Sequence, residues 1–468
     1  DRDRSRLNAG RTKATDKFDA LYNAAAPSCT APAPAAASVT AAVTQIESDT
    51  MISTTTSPGL PTSFTQVIPG DTVIYKGQEL HPICSKGTPY SFFYKRGTVN
   101  KLLVYYQGGG ACWDNTTCWV ANTCKQEAGP DDNPELVGTG FADMNDPRNP
   151  FRDWHVVFVS YCTCDVHWGN NDKRYSTAVI HHRGRVNAMV AEKFAREHFV
   201  DPDEVFVSGS SAGAYGAIMN SAFLLEEVYP SAQFEVLGDA GAGVITVDWL
   251  QNYIDNWGVQ KTIPDFVPGL DVTPQELSIV DVWANIANHY PQARFAQYQT
   301  AYDGSGGGQA AFYNVMKNPI SMWTQWWVET CEWNACMTDF VHAIAARAPN
   351  FRYYTGAGSA HTIWGLDKLY EDTSGGVPKF VDWVNSMRAG DAGWINVECA
   401  DCNQVDTCQG GTNKGLQCTS NADCAGGGTC YFDPTPPTLP APPYYPGRVV
   451  DCPPTTCPCG TVVTCPAP

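Results

Sequence analysis

The sequence predicts an α/β fold built on a mostly parallel sheet with helices on both faces. Three observations point there. Short apolar runs such as Lys101–Tyr106 and Glu204–Ser208 read as strands buried on both sides. Segments of helical periodicity separate those runs, as crossover connections require. At 468 residues and 43% hydrophobic content, the chain can also bury a large core.

Taken in order, Lys101–Tyr106 (KLLVYY) and His155–Tyr161 (HVVFVSY) are the first strands. Arg183–His198 follows as a helix, with Val186, Met189, Val190, Phe194 and His198 at helical spacing. Glu204–Ser208 is a strand and Ala212–Val228 a helix. Gln233–Leu237, Arg294–Thr300 and Asn350–Tyr354 complete the strands. Residues 243–290, between two of them, are long enough for a helical cap over one end of the sheet.

Composition divides the chain into three. Residues 1–60 form an Ala/Pro/Thr-rich N-terminal segment, with a helical rhythm over Thr12–Ala25 and a linker at Ala31–Ala37. Residues 61–395 carry the strand patterns and every chemical motif, and form the expected catalytic domain. Residues 396–468 are dense in Cys, Gly and Pro and form a disulfide-rich C-terminal region. The 19 cysteines favour an oxidising, extracellular location. An odd count leaves one free or paired between chains, and Cys29 is the candidate. No run approaches the roughly 18 apolar residues of a membrane span. Residue 1 starts neither with Met nor with a signal peptide, so the numbering is expected to begin after processing. The net charge of −18 disfavours nucleic acid and anionic membranes as partners. A monomer is expected.

The sharpest motif is Gly209-Ser210-Ser211-Ala212-Gly213, between a strand and a helix. That is the setting of a nucleophile elbow, which lifts Ser211 above the sheet at a helix N-terminus. The competing reading is a Gly/Ser-rich loop, which the flanking strand and helix disfavour. Gln107–Trp113, a glycine run after the strand Lys101–Tyr106, suits the other half of an oxyanion hole. Gly110 and Ala111 are the expected donors there, with Ala212 from the elbow. No Gly-Lys-Ser/Thr follows, which argues against a nucleotide loop.

A serine nucleophile needs a base, and the base a carboxylate to orient it. In the α/β-hydrolase order of Ser, acid, His, His361 after the last strand is the base. His181, His182 and His342 read as surface or structural. Asp303, ending the strand Arg294–Thr300, is the favoured acid, with Asp239 after Gln233–Leu237 as its competitor. Trp113, Asp165, His167, Trp168 and Trp364 lie close to these motifs in sequence and are the expected pocket lining. No metal or organic cofactor is called for.

These motifs together resemble the pectin acetylesterase and Notum family of carboxylesterases over roughly residues 65–395. The resemblance rests on Cys84 followed by Pro89–Tyr94, on Gln107–Trp113, on Tyr161–Gly169 with His181–Gly184, and on Gly209–Gly213. It also rests on Ala301–Asp303 with Gln309, and on Ala360–Ile363. It implies an α/β-hydrolase-like fold, a Ser211–His361–Asp303 triad, oxyanion donors at Gly110, Ala111 and Ala212, and removal of an acyl group from a hydroxyl. Three departures stand out. The family's tryptophan before the loop cysteine is Ala111 here, Ser305–Gly308 lengthens the acid-to-Gln spacing, and Cys164 replaces an expected glycine. Substrate identity therefore does not carry over. The expected substrate is an O-acyl ester, first an acetylated polysaccharide. A polyester is the alternative, as is an inactive polymer-binding or adhesion protein.

Among the cysteines, a bridge within Cys112, Cys118 and Cys124, or from them to Cys162 or Cys164, is expected to stiffen the glycine loop. Cys331 and Cys336 suit a local bridge. The ten tail cysteines could form five bridges of unassigned pairing. A zinc reading of Cys399 and Cys402 is disfavoured because the tail holds no histidine.

Overall fold

The computed structural model describes residues 60–431, apart from 177, 305–306, 326–327, 371–377, 400–401, 403–406, 415 and 417. The expected N-terminal segment with Cys29, and Cys452, Cys457, Cys459 and Cys465 of the tail, lie outside the described residues, as does the side chain of Cys331.

The central sheet contains β1 (Thr65–Val67), β2 (Phe92–Lys95), β3 (Lys101–Tyr106), β4 (His155–Val159) and β5 (Glu204–Ser210). It continues with β6 (Gln233–Asp239), β7 (Arg294–Thr300), β8 (Phe351–Gly356) and β9 (Val397–Glu398). Their spatial order is β1-β2-β4-β3-β5-β6-β7-β8-β9. From β4 to β9 every pairing is parallel, and β1 and β2 add an antiparallel edge.

Alternation along β5 shows why its sequence is apolar throughout. Val205 and Val207 enter one core with the helices on that face, while Phe206 enters the other. Each is fully buried, contributing about 1.5–3 kcal/mol apiece. The first core holds α1 (Gly184–His198), with Val186 and Val190 turned inward. It also holds α2 (Ala212–Phe223), whose first residues, rich in Ala and Gly, lie close across the sheet.

The connection from β6 to β7 refines the expected cap. Its first part is α3 (Val247–Tyr253), where the Thr246 hydroxyl accepts from Trp249 N at 3.2 Å, followed by short 3₁₀ turns. Its last part, α4 (Ile279–His289), is not cap. Trp283 of α4 meets Phe351 of β8 with ring centroids 5.7 Å apart, so α4 is a sheet-covering crossover helix. The apolar stripe of α4 needs the sheet to cover it, which a cap position would not provide. Two further helices, α5 (Gln309–Lys317) and α6 (Thr330–Arg347), precede β8, and α7 (Phe380–Ala389) closes the second face.

β9 lies beyond residue 395, so the sheet extends into the expected disulfide-rich C-terminal region. After it, the hairpin Thr407–Gln409/Thr429–Tyr431 carries the disulfides Cys408–Cys424 and Cys418–Cys430. Cys399 and Cys402 are bridged to each other. The hairpin region is docked on the sheet domain. Lys414 Nζ reaches Asp143 at 2.7 Å and Asp146 at 2.8 Å, and the Asp367 carboxylate accepts from both Gly410 N (2.8 Å) and Gly140 N (3.0 Å). Among the described residues, no helix is long and apolar enough to cross a membrane.

Candidate active site

Ser211 stands between β5 and α2 with φ 57° and ψ −123°, a backbone state that costs a side-chain-bearing residue of order 1–3 kcal/mol. The sequence tolerates it because both flanks are glycine. A Cβ on Gly213 would sit 1.9 Å from Tyr106 O, and one on Gly209 would sit 2.2 Å from Gly213 O. Ser211 N donates to Asp239 O at 2.7 Å, which fastens the turn to β6.

His361 lies after β8, and Thr362 next to it adopts φ 68°. His361 Nδ1 is 2.7 Å from Asp303 Oδ1. The Asp303 side chain is fully buried; its Oδ2 accepts from Gln299 Nε2. Gln299 Oε1 in turn accepts from Ala242 N at 3.3 Å. Burial opposes the imidazolium, but the charge and hydrogen bond of Asp303, with the charge of Asp239, raise the His361 pKa above 6.5.

Of the two candidate acids, Asp303 is therefore the one that meets His361. The Asp239 carboxylate goes elsewhere, to Ser210 Oγ at 2.6 Å and to the N–H groups of Ile363 and Trp364 at 3.0–3.1 Å.

The glycine loop is held from outside by its carbonyls. Lys125 N donates to Gly109 O at 2.7 Å and the Tyr161 hydroxyl to Gly110 O at 2.9 Å, while His167 Nε2 lies 2.9 Å from Gln107 O. A trans peptide points its N–H opposite its C=O, so the Gly110 N–H is turned away from Lys125. The disulfides Cys112–Cys118 and Cys124–Cys164 flank the loop, and Cys84–Cys162 ties the segment after β4 to the chain before β2.

Ser211, Gly110, Ala111 and Ala212 line one apolar pocket with an empty volume of about 580 Å³. Trp113 and Trp168 line it too. Asp165, His167 and Trp364 do not, contrary to the sequence expectation. The Asp165 carboxylate is buried among its own loop, accepting from Thr163 Oγ1 (2.6 Å), Gly184 N (2.7 Å) and His167 N (3.2 Å). Burial raises its pKa to about 7. Burial also lowers the pKa of His167 to about 4, so the ring is neutral at pH 7 and serves as a brace for Gln107. Trp364 packs in the core of the opposite sheet face, with Nε1 donating to Ser208 Oγ at 2.7 Å.

Sequence reasoning missed most of the apolar wall: Tyr215, Val244, Trp249, Trp257, Phe312 and Met316. Tyr215 had a signal, because it lies four residues after Ser211 on α2 and so shares its face. Trp249 and Trp257 lay within the expected cap and could have been read as its inward residues. Trp249 meets Trp113 at 5.6 Å and Trp257 at 5.0 Å, both edge-on.

Comparison with known proteins adds a lineage. Residues 67–255 match the family model of pectinacetylesterase, a segment that includes Ser211 and ends before Asp303 and His361. Palmitoleoyl-protein carboxylesterase NOTUM from Schmidtea mediterranea is 26% identical over 144 residues, covering 29% of this chain and 27% of that protein. Pectin acetylesterase 11 from Arabidopsis thaliana is 25% identical over 196 residues, covering 39% of this chain and 50% of that protein. The matches thus span about a quarter to a half of the length of these relatives. Among solved structures, the Wnt deacylase Notum from Drosophila aligns with a TM-score of 0.46 at 14% identity, covering 70% of this chain and 93% of that one. Over residues 67–255 the chain is thus similar to pectin acetylesterases and Notum carboxylesterases.

Proposed function

We propose that the chain is a secreted serine carboxylesterase that hydrolyses O-acyl esters through Ser211, His361 and Asp303. The observation that carries this reading is Ser211 at the wall of an apolar pocket, in a strained turn, beside the backbone of Gly110, Ala111 and Ala212. The paired His361 and Asp303 support it.

In the first step, His361 takes the Ser211 hydroxyl proton as the oxygen attacks the ester carbonyl. The N–H groups of Gly110, Ala111 and Ala212 stabilise the oxyanion. His361 returns the proton to the leaving alcohol, and the acyl group stays on Ser211. Water, deprotonated by His361, then attacks the acyl-enzyme and frees the acid. The six described disulfides support an extracellular setting.

For the acyl group, acetyl on a polysaccharide is the first reading, and the pocket favours a second. The apolar side chains around Ser211, among them Trp113, Tyr215, Trp249 and Phe312, would bury more of a larger apolar acyl group than of a two-carbon acetyl. One relative is named for a palmitoleoyl ester, the other for an acetyl ester, so both readings have precedent within the family. The test is a panel of p-nitrophenyl esters from acetate to palmitate, acetylated polysaccharides and polyester film, run with wild type and Ser211→Ala. Loss of all turnover in Ser211→Ala is expected. Unchanged turnover would reject Ser211 as the nucleophile, and no turnover of any ester by wild type would reject the esterase in favour of an inactive, polymer-binding protein. Faster cleavage of the matching anilide would reject it in favour of an amidase.

A further inference from the structure

Asp239 is a buried acid beside the nucleophile turn that the proposed chemistry does not use. It lies at the C-terminal end of β6, directly opposite Ser210 in the parallel register with β5. Its carboxylate is fully buried and accepts from three donors. These are Ser210 Oγ at 2.6 Å, Ile363 N at 3.0 Å to both oxygens, and Trp364 N at 3.1 Å. Ser210 Oγ also lies 2.6 Å from the Tyr105 hydroxyl on β3. The main chain of the same residue accepts from Ser211 N at 2.7 Å. One residue therefore grips the nucleophile turn with its backbone and the loop after His361 with its side chain.

That loop needs gripping. Between His361 and the short turn Asp367–Tyr370 it has no strand or helix to fix it. A shift of about 1 Å in a base can cost of order 10²-fold in rate. We infer that Asp239 is a positioning residue, whose carboxylate holds the His361 loop in register with the Ser211 turn and whose charge favours the imidazolium formed during acyl transfer. This rests on the proposed serine-esterase reading. The groups facing the site are few. Asp303 and Asp239 act on His361, while Ser210, Tyr105 and His361 face Asp239. Burial raises the pKa of Asp239 to about 6, and its hydrogen bonds hold it from rising further.

The experiment is Asp239→Asn in the full chain, with Ser211→Ala in parallel. With the amide nitrogen at the Oδ2 position, Trp364 N loses its acceptor; with it at Oδ1, the three donors keep the other oxygen but Ile363 N meets an NH₂ group, and in both cases the negative charge is gone. The expected result is a fall in kcat of at least tenfold with KM within threefold. Removing the negative charge should also lower the pKa of His361, so the acidic limb of the kcat/KM profile moves to lower pH. A role confined to folding would lower the amount of active enzyme and leave that limb in place. Ser210→Ala, which removes one donor and no backbone, serves if Asp239→Asn does not fold. It should lower kcat severalfold at pH 7 with KM unchanged. A wild-type kcat and an unmoved acidic limb in Asp239→Asn, or a wild-type kcat in Ser210→Ala, would overturn the inference while an inactive Ser211→Ala left the esterase reading standing. Full activity in Ser211→Ala would overturn both.

Discussion

Asp303→Asn is the sharpest perturbation of the proposed triad, because its neighbours dictate what the amide must do. Gln299 is fixed with its NH₂ toward Asp303, since its oxygen accepts from Ala242 N. An asparagine at 303 can satisfy Gln299 only by presenting oxygen to it, which leaves the new NH₂ facing His361 Nδ1. That ring nitrogen must then accept, and the hydrogen moves to Nε2, the atom that has to take the serine proton. The opposite flip sets two NH₂ groups against each other in a fully buried site. The wrong tautomer in such a triad costs about 10⁴ in kcat, or about 5.5 kcal/mol at 1.36 kcal/mol per decade. The assay is steady-state hydrolysis of a p-nitrophenyl ester from pH 5 to 9, with melting curves to confirm folding. In wild type the base must be neutral, so kcat/KM should rise with pH through a midpoint above 6.5, the direction in which Asp303 and Asp239 push His361. In Asp303→Asn burial dominates, and the residual activity should titrate at a lower pH. A variant within tenfold of wild type, with its acidic limb unmoved, would refute the assignment of Asp303.

Three further predictions follow from the pocket and its supports. Each acyl methylene buried is worth about 0.8 kcal/mol, or about fourfold in kcat/KM, so hexanoate should exceed acetate by about 10². Met316→Trp, which fills the pocket from α5, should cut that ratio at least tenfold while leaving acetate turnover within threefold. Cys112→Ser/Cys118→Ser opens a bridge of sequence separation 6 beside the glycine loop. It should cost about 2 kcal/mol of stability by chain entropy, measured by denaturant unfolding, and lower kcat more than it changes KM. Lys414→Ala removes two ion pairs from Asp143 and Asp146. Burial opposes the charge on Asp146, but hydrogen bonds from Arg148 and Lys414 lower its pKa to about 2. The resulting stability is present above the unfolded carboxylate value and is lost as pH falls through about 2. The melting-temperature gap between Lys414→Ala and wild type, about 2–4 °C at pH 6, should therefore shrink as pH falls toward 2 and vanish only below it.

The parallel strands were legible because both of their faces are buried. A run such as Lys101–Tyr106 has no polar side to confuse the pattern, and Arg294–Thr300 was bounded by its neighbours at both ends. β5 and β6 run two residues past their expected ends, to Ser210 and Asp239. Those polar C-terminal residues are where this type of sheet carries its chemistry, so apolar patterning stops short of them. The short edge strands Thr65–Val67 and Phe92–Lys95 and the closing strand Val397–Glu398 were missed. Strands of two to four residues carry too little periodicity to detect. The pocket was legible only where a side chain's direction followed from its motif. Closeness in sequence placed Asp165, His167 and Trp364 near the site, but each turns its polar group to a backbone or side-chain partner beside it or beneath the sheet.

The two candidate acids show where sequence reading ends. Both follow strands on the far side of the nucleophile strand, and chain order admits either. The distinction lies in register. Asp239 is still within β6, paired with Ser210 on one side and Tyr298 on the other, so its side chain leaves the sheet beside the elbow and meets Ser210. Asp303 comes three residues after the last paired position of β7, in a turn where its backbone oxygen accepts from Ala310 N at 2.8 Å. That turn is free of the pleat and can deliver a carboxylate to Nδ1 of a histidine on the next loop. A carboxylate locked in the pleat braces the site, and one just beyond the strand reaches the base. The difference is a few residues of pairing, which no local pattern encodes.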